Sequence, residues 1–242
     1  MKATAIRSST AADVTAQRTD VRRVTRCLAA VVMPLGPAAV AILRFRLPYF
    51  TSADNPTALV QSVASDQPGQ SLVLWCGFIA VLTLVPGVLW VGRLTRRGAP
   101  RLTTAALLLL APGYVSLAWF MSSDVLLWAG VHEGVDVDTV ARMYVALHPT
   151  SVIAAGIFVI GHVLGTILLG IALWRTHTVP RWAALATITS QPLHFATAVI
   201  LGLPWLDLVA WGMNAVGFAA VSVAVLRLTD DEWDLPPLRP LS

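Results

Sequence analysis

Two histidines stand where a polar side chain is hardest to accommodate. His162 is near the middle of an apolar stretch over roughly 151–174, and His194 is near the middle of another over 182–202. An imidazole can relay a proton near neutral pH, ligate haem or a metal, or hydrogen-bond a guest. On the same stretch as His194, Thr187, Ser190 and Thr197 recur at helical spacing with Gln191 beside them, a polar stripe that must face protein or water. In the next stretch, over 205–226, Asp207 and Asn214 are seven residues apart and share a helix face. Polar groups this deep in hydrocarbon are costly unless satisfied, which makes them candidates for function.

Taken together, His162, Ser190, Gln191, His194, Asp207 and Asn214 outline a polar pocket suited to binding, or passing, a small apolar or amphipathic molecule. Two other readings use the same residues. In one, the chain is a membrane redox or other enzyme with haem or metal held between His162 and His194. In the other it is a structural subunit whose polar groups only hold helices together. Gly161 and Gly165 form a small-residue surface beside His162 that permits close helix approach, which argues against the wide spacing that a bridging haem requires.

Other groups carry less. His132, Glu133, Asp136, Asp138 and His148 read as a solvated acidic stretch, without the His-Glu-x-x-His spacing of a zinc site. Asp124 and Asp207 resemble an acid and base pair, but each stands at the end of an apolar stretch, where an aspartate is expected to cap a helix. No Gly-x-Ser-x-Gly elbow, phosphate-binding Gly-rich loop or Cys-x-x-Cys is present. No known family's motif set is met, so no residue roles are carried over.

The elements that must position these residues are apolar and long. Six stretches, at roughly 27–43, 72–92, 102–121, 151–174, 182–202 and 205–226, contain no Lys, Arg or Glu. A bilayer core about 30 Å thick takes about 20 helical residues to cross. The 242 residues are 56% hydrophobic and only 12% charged, where soluble chains have about a quarter charged. The expected architecture is therefore an all-α integral membrane bundle of six spans, a single transmembrane domain over 22–228.

Charge gives the spans a direction. Arg7, Arg18, Arg22, Arg23 and Arg26 precede the first span, Arg93, Arg96, Arg97 and Arg101 separate the second from the third, Arg175 and Arg181 separate the fourth from the fifth, and Arg227 and Arg239 follow the sixth. The alternate connections are acidic, with Asp54, Asp66, Asp124, Glu133, Asp136 and Asp138 against Arg44, Arg46 and Arg142. The positive-inside rule then places both termini in the cytoplasm, in the plasma (inner) membrane of a bacterium whose GC-rich codons explain sixteen Arg against one Lys. The basic groups are short flanks of spans, so nucleic acid is not an expected partner. The expected partners are the lipid bilayer, a small apolar ligand, and a second copy or another membrane subunit.

Residues 1–21 read as a disordered cytoplasmic tail, and 229–242 as an extended, acidic, Pro-rich one. The first span reads as an uncleaved, Pro-kinked helix; the alternative is a signal peptide cut near Ala39-Val40-Ala41. Finally, an offset of 80 residues superposes Pro100-Arg101 on Pro180-Arg181 and Pro112 on Pro192, and an offset of 83 superposes Asp124-x-x-x-Trp128 on Asp207-x-x-x-Trp211. This register suggests a parallel internal repeat, with spans two and three resembling spans four and five about a pseudo-twofold along the membrane normal. The stretch with Val137, Val140, Ala141 and Tyr144 reads as an amphipathic helix on the outer interface.

Overall fold

Proline stands in the first turn of half of the helices, where its missing N–H is no loss and its fixed φ suits the turn. In the computed structural model, which describes residues 20–51 and 54–235, the helices are α1 (Arg22–Arg46), α2 (Pro56–Ser65), α3 (Gln67–Thr95), α4 (Pro100–Phe120), α5 (Ser122–His132), α6 (Val137–Val145), α7 (Pro149–Thr176), α8 (Arg181–Phe195), α9 (Pro204–Arg227) and α10 (Asp230–Trp233). No strand occurs among the described residues. The disordered tail expected over 1–21 lies almost entirely outside them, as do residues 236–242 of the C-terminal tail.

Five helical segments are long and apolar enough to cross a membrane: Arg22–Arg46, Gln67–Thr95, Pro100–His132, Pro149–Thr176 and Pro204–Arg227. The stretch expected as the fifth of six differs. Its α-helix, α8, ends after 15 residues, and a π-helical turn over Ala196–Leu201 carries the chain onward. Pro192, inside α8, has no N–H for the preceding turn and disturbs the regular ladder there. The turn closes at Gly202, whose φ of 63° suits glycine and whose N–H bonds Thr197 O at 2.9 Å.

Packing follows chain order. α1 packs on α3, α3 on α4, α4 on α7, α7 on α8, α8 on α9, and α9 returns to α1, closing a ring. Moving α3 and α4 onto α7 and α8 is thus a step of two places in six, not the half turn that a pseudo-twofold requires. The closest crossing is between α4 and α7. A Cβ at Gly161 would stand 2.5 Å from Leu109 O and 2.9 Å from the Gly113 Cα. The small surface beside His162 therefore receives α4, the third span, not the fifth. Outward, residues such as Leu28, Val31, Phe78, Leu108, Val152 and Ile160 are exposed on the long helices, an apolar perimeter made for lipid.

Two accessory regions close the ends of the ring. On one face, Val140 and Ala141 of α6 are buried with Leu59, Val60 and Val63 of α2 and Leu127 of α5. The amphipathic helix thus spends its apolar residues on a small protein core rather than lying free on the interface. On the opposite face the tail expected to be extended folds into α10, with Thr229 and Glu232 forming a capping box. Trp233 is 2% exposed; its indole N–H donates to Thr25 Oγ1 at 3.2 Å, and the Arg93 guanidinium covers its ring at 4.9 Å. Arg22, Arg26 and Arg93 pair with Asp231, Asp230 and Asp234, so the acidic tail latches onto the ends of α1 and α3.

Candidate functional site

Helix starts explain which aspartates are free for other work. Asn55, Asp66 and Asp136 cap α2, α3 and α6, each accepting a backbone N–H three residues on. Asp124 and Asp207, expected to do the same for α5 and α9, make no side-chain cap bond. Both are instead buried and bonded to distant side chains.

Asp207 is fully buried. Its Oδ1 accepts from His194 Nδ1 at 2.5 Å and, more loosely, from Thr197 Oγ1 at 3.4 Å, while Oδ2 accepts from Arg44 Nε at 2.7 Å. The π-helical turn serves this arrangement by bringing Thr197, with His194, onto the carboxylate. Arg44, at the end of α1, also lies over the Phe50 ring at 4.5 Å. Asp124 Oδ1 accepts from the Tyr49 hydroxyl and, at 3.0 Å, from Gln70 Nε2. Burial pushes the Tyr49 phenol well above its usual range, and the neighbouring Asp124 charge adds to the rise, so Tyr49 remains a donor at any physiological pH.

His162, on α7, is 1% exposed and donates Nδ1–H to Phe158 O at 2.6 Å, which leaves Nε2 without a partner. Its ring packs on Phe158 (4.3 Å), His194 (5.4 Å) and Trp211 (5.6 Å), and His194 meets Trp211 edge-on at 5.4 Å. The two histidines do come together. With their rings this close, both Nδ1 atoms engaged and Trp211 packed on both, no gap between them accepts a haem macrocycle. Among the described residues no group of three or more His, Cys, Asp or Glu is placed to hold a metal ion.

Other sequence candidates separate into two sets. Ser190 Oγ donates to Thr187 O and Thr187 Oγ1 to Ala183 O, so these hydroxyls satisfy their own helix and leave the pocket. Gln191 and Asn214 are fully buried, yet neither amide has a partner for its oxygen or nitrogen. The Trp211 indole N–H is likewise buried and unpaired, while the buried Thr166 and Tyr114 hydroxyls face one another. By helical rise, Thr166, Gln191 and Asn214 each lie about 4.5–6 Å beyond His162, His194 and Trp211 toward the face carrying α10. They form a polar layer beneath an imidazole and indole floor.

Above that floor is a cavity of about 220 Å³. Its wall is mostly apolar, from Val40, Leu43, Leu47, Leu117, Met121 and Ala198, with six aromatic rings from Tyr49, Phe50, Phe120, Tyr144, Phe158 and Trp211. Arg44, Ser123, Asp124 and His194 supply its polar groups. The cavity thus draws on the first and third spans as well as on the fourth to sixth that the sequence favoured. Arg44, Tyr49, Gln70 and Trp211 were not legible as site residues. Arg44 and Tyr49 looked like loop residues, and the one available signal was that the Asp-x-x-x-Trp spacing places Trp211 one turn below Asp207. No protein-family model, curated protein or solved structure matches this chain.

Proposed function

We propose that the protein binds, and passes across or within the membrane, a small amphipathic molecule that enters the 220 Å³ cavity. The observation that carries this reading is the cavity itself, an apolar and aromatic enclosure with a few convergent buried polar groups, the usual character of a small-molecule site. The unpaired polar atoms of His162, Gln191 and Asn214 support passage, because they offer a guest hydrogen bonds beyond the floor at depths where an unsatisfied polar group is expensive. In this reading His194 meets the guest in the cavity and Asp207 holds His194, while His162, Gln191 and Asn214, which do not line the cavity, would meet it only beyond the floor; Ser190 becomes a helix-packing residue.

In this reading α8 and its π-helical turn, 181–201, make a sixth crossing, long enough at about 1.5 Å per residue. Both termini are cytoplasmic, the cavity opens outward, and α1 is retained in the working protein because it supplies Arg44. The repeated order of a short helix, a long helix and a helix starting at a Pro-Arg pair, over α2–α4 and again over α6–α8, supports a parallel duplication.

The test uses a neutral probe, dimethylbutanol, titrated into protein in phosphatidylglycerol nanodiscs. Saturable binding that Ala198→Phe abolishes is the expected result. Linear partition into lipid, or saturation unchanged in Ala198→Phe, sinks the proposal.

A second reading rests on the His194–Asp207 pair. A carboxylate that holds an imidazole by Nδ1 prepares the other nitrogen to act as a general base, which makes a membrane hydrolase or transferase the alternative.

A further inference from the structure

The two carboxylates near the cavity are paired differently. Arg44 is committed to Asp207, its Nε 2.7 Å from Oδ2, and Phe50 covers its guanidinium face. Asp124 is left in the cavity wall, 4% exposed, with two neutral donors, the Tyr49 hydroxyl and the Gln70 amide. Among the described residues no cation forms an ion pair with it. Arg44, on the same wall, acts on it only at longer range, and a buried carboxylate whose hydrogen-bond donors are all neutral is stabilised most by a positive charge brought into contact with it. The rest of the wall suits that charge, because it carries the rings of Tyr49, Phe50, Phe120, Tyr144, Phe158 and Trp211, and an aromatic ring attracts a cation to the negative side of its quadrupole. A volume of about 220 Å³ is below the common range of about 300–1,000 Å³ for small-molecule sites, so the occupant is small.

We infer that the cavity binds a small alkylammonium ion, tertiary or quaternary, with Asp124 as its counter-ion and the aromatic rings as its cage. This rests on the cavity being a binding site, and it adds the charge of the ligand. Apolar substituents on nitrogen fill the aliphatic and aromatic wall, while the charge meets Asp124 and displaces no existing ion pair. The same chemistry can come from a free amine or from the trimethylammonium end of a lipid headgroup.

The experiment titrates three isosteric probes, choline, dimethylbutanol and dimethylbutanoate, into full-length protein in phosphatidylglycerol nanodiscs. Choline is expected to bind at least about tenfold more tightly than the neutral alcohol, the scale of a desolvated cation and aromatic contact. Asp124→Asn is expected to lose the preference for choline over the alcohol. If that variant does not fold, Asp124→Glu, which retains the charge, must retain the preference. Equal affinity for choline and the alcohol overturns the cationic ligand while leaving the cavity as a site. Tightest binding of the carboxylate overturns it in favour of Arg44 as an anion receptor. Saturation by none of the three removes both this inference and the reading beneath it. Repeating the titration in phosphatidylcholine discs separates the sources: loss of choline affinity by competition assigns the headgroup, and unchanged affinity assigns a free amine.

Discussion

Arginine meets aspartate at both ends of the ring, with similarly buried guanidinium groups but very differently buried carboxylates. At the latch, Arg22 pairs with an Asp231 that is 82% exposed, and Arg26 and Arg93 pair with aspartates that are 38% and 41% exposed. Water competes for each charge there, so such pairs contribute little individually and weaken with salt. At the cavity, Arg44 is 24% exposed and Asp207 not at all, and His194 and Thr197 share the same carboxylate. Desolvating these groups is expensive, and an all-apolar cluster of equal volume would hold the helices at least as well. The difference teaches that an ion pair's surroundings, not its geometry, indicate its purpose. The latch is fastening, whereas the buried cluster is retained at a cost that points to use.

The comparison breaks first at Asp207. Asp207→Ala strands Arg44 and His194 and is expected to destabilise the protein by about 3–5 kcal/mol. The temperature at which the buried Cys76 becomes reactive to a maleimide in a Cys27→Ser background would measure it. The triple variant Arg44→Met, His194→Phe, Asp207→Leu sharpens the point: it is expected to match or exceed the parent's stability while losing all binding to the cavity. A triple variant that unfolds would instead make this cluster fastening as well.

Next in size is Gly161→Ala. Its methyl group meets the backbone of α4, which cannot swing aside as a side chain can, so a loss of about 1–3 kcal/mol is expected in the same thiol assay.

Smaller effects belong to the latch. Trp233→Ala is expected to release 229–234, seen as faster hydrogen exchange of that segment, with a smaller change in Cys76 protection because the Trp233 ring bonds Thr25 and stacks on Arg93, at the ends of α1 and α3. Asp231→Asn alone should change neither, but the parent in about 0.5 M salt should show partial release.

The latch also has a sign in pH. Arg93 holds the Asp234 carboxyl below its usual range, and the Thr229 N–H does the same for Glu232. A depressed carboxyl stabilises the docked form above the ordinary carboxylate range and loses that contribution as pH falls through the lowered value. Exchange of 229–234, corrected for intrinsic rates, is therefore expected to be flat from about pH 8 to 5 and to rise only in stronger acid.

Much of this molecule is local enough to read in one dimension. Lipid-facing helices announce themselves because a span must be apolar over its whole length, and prolines mark starts because their chemistry acts on their own turn. The midplane histidines were visible for the same reason, as exceptions within uniform runs. Which aspartate caps and which is buried was not visible, since Asp66 and Asp124 have similar local settings and differ only in what other helices bring to them. Arg44 looked like a loop charge until α1 packed against α9 and set it on Asp207. The apolar patterning of the chain thus dictated its solvent and its helices through residue-by-residue transfer energies. Only the closed ring decided the site, because burial, ion pairing and a shared cavity depend on residues up to 163 positions apart being brought together.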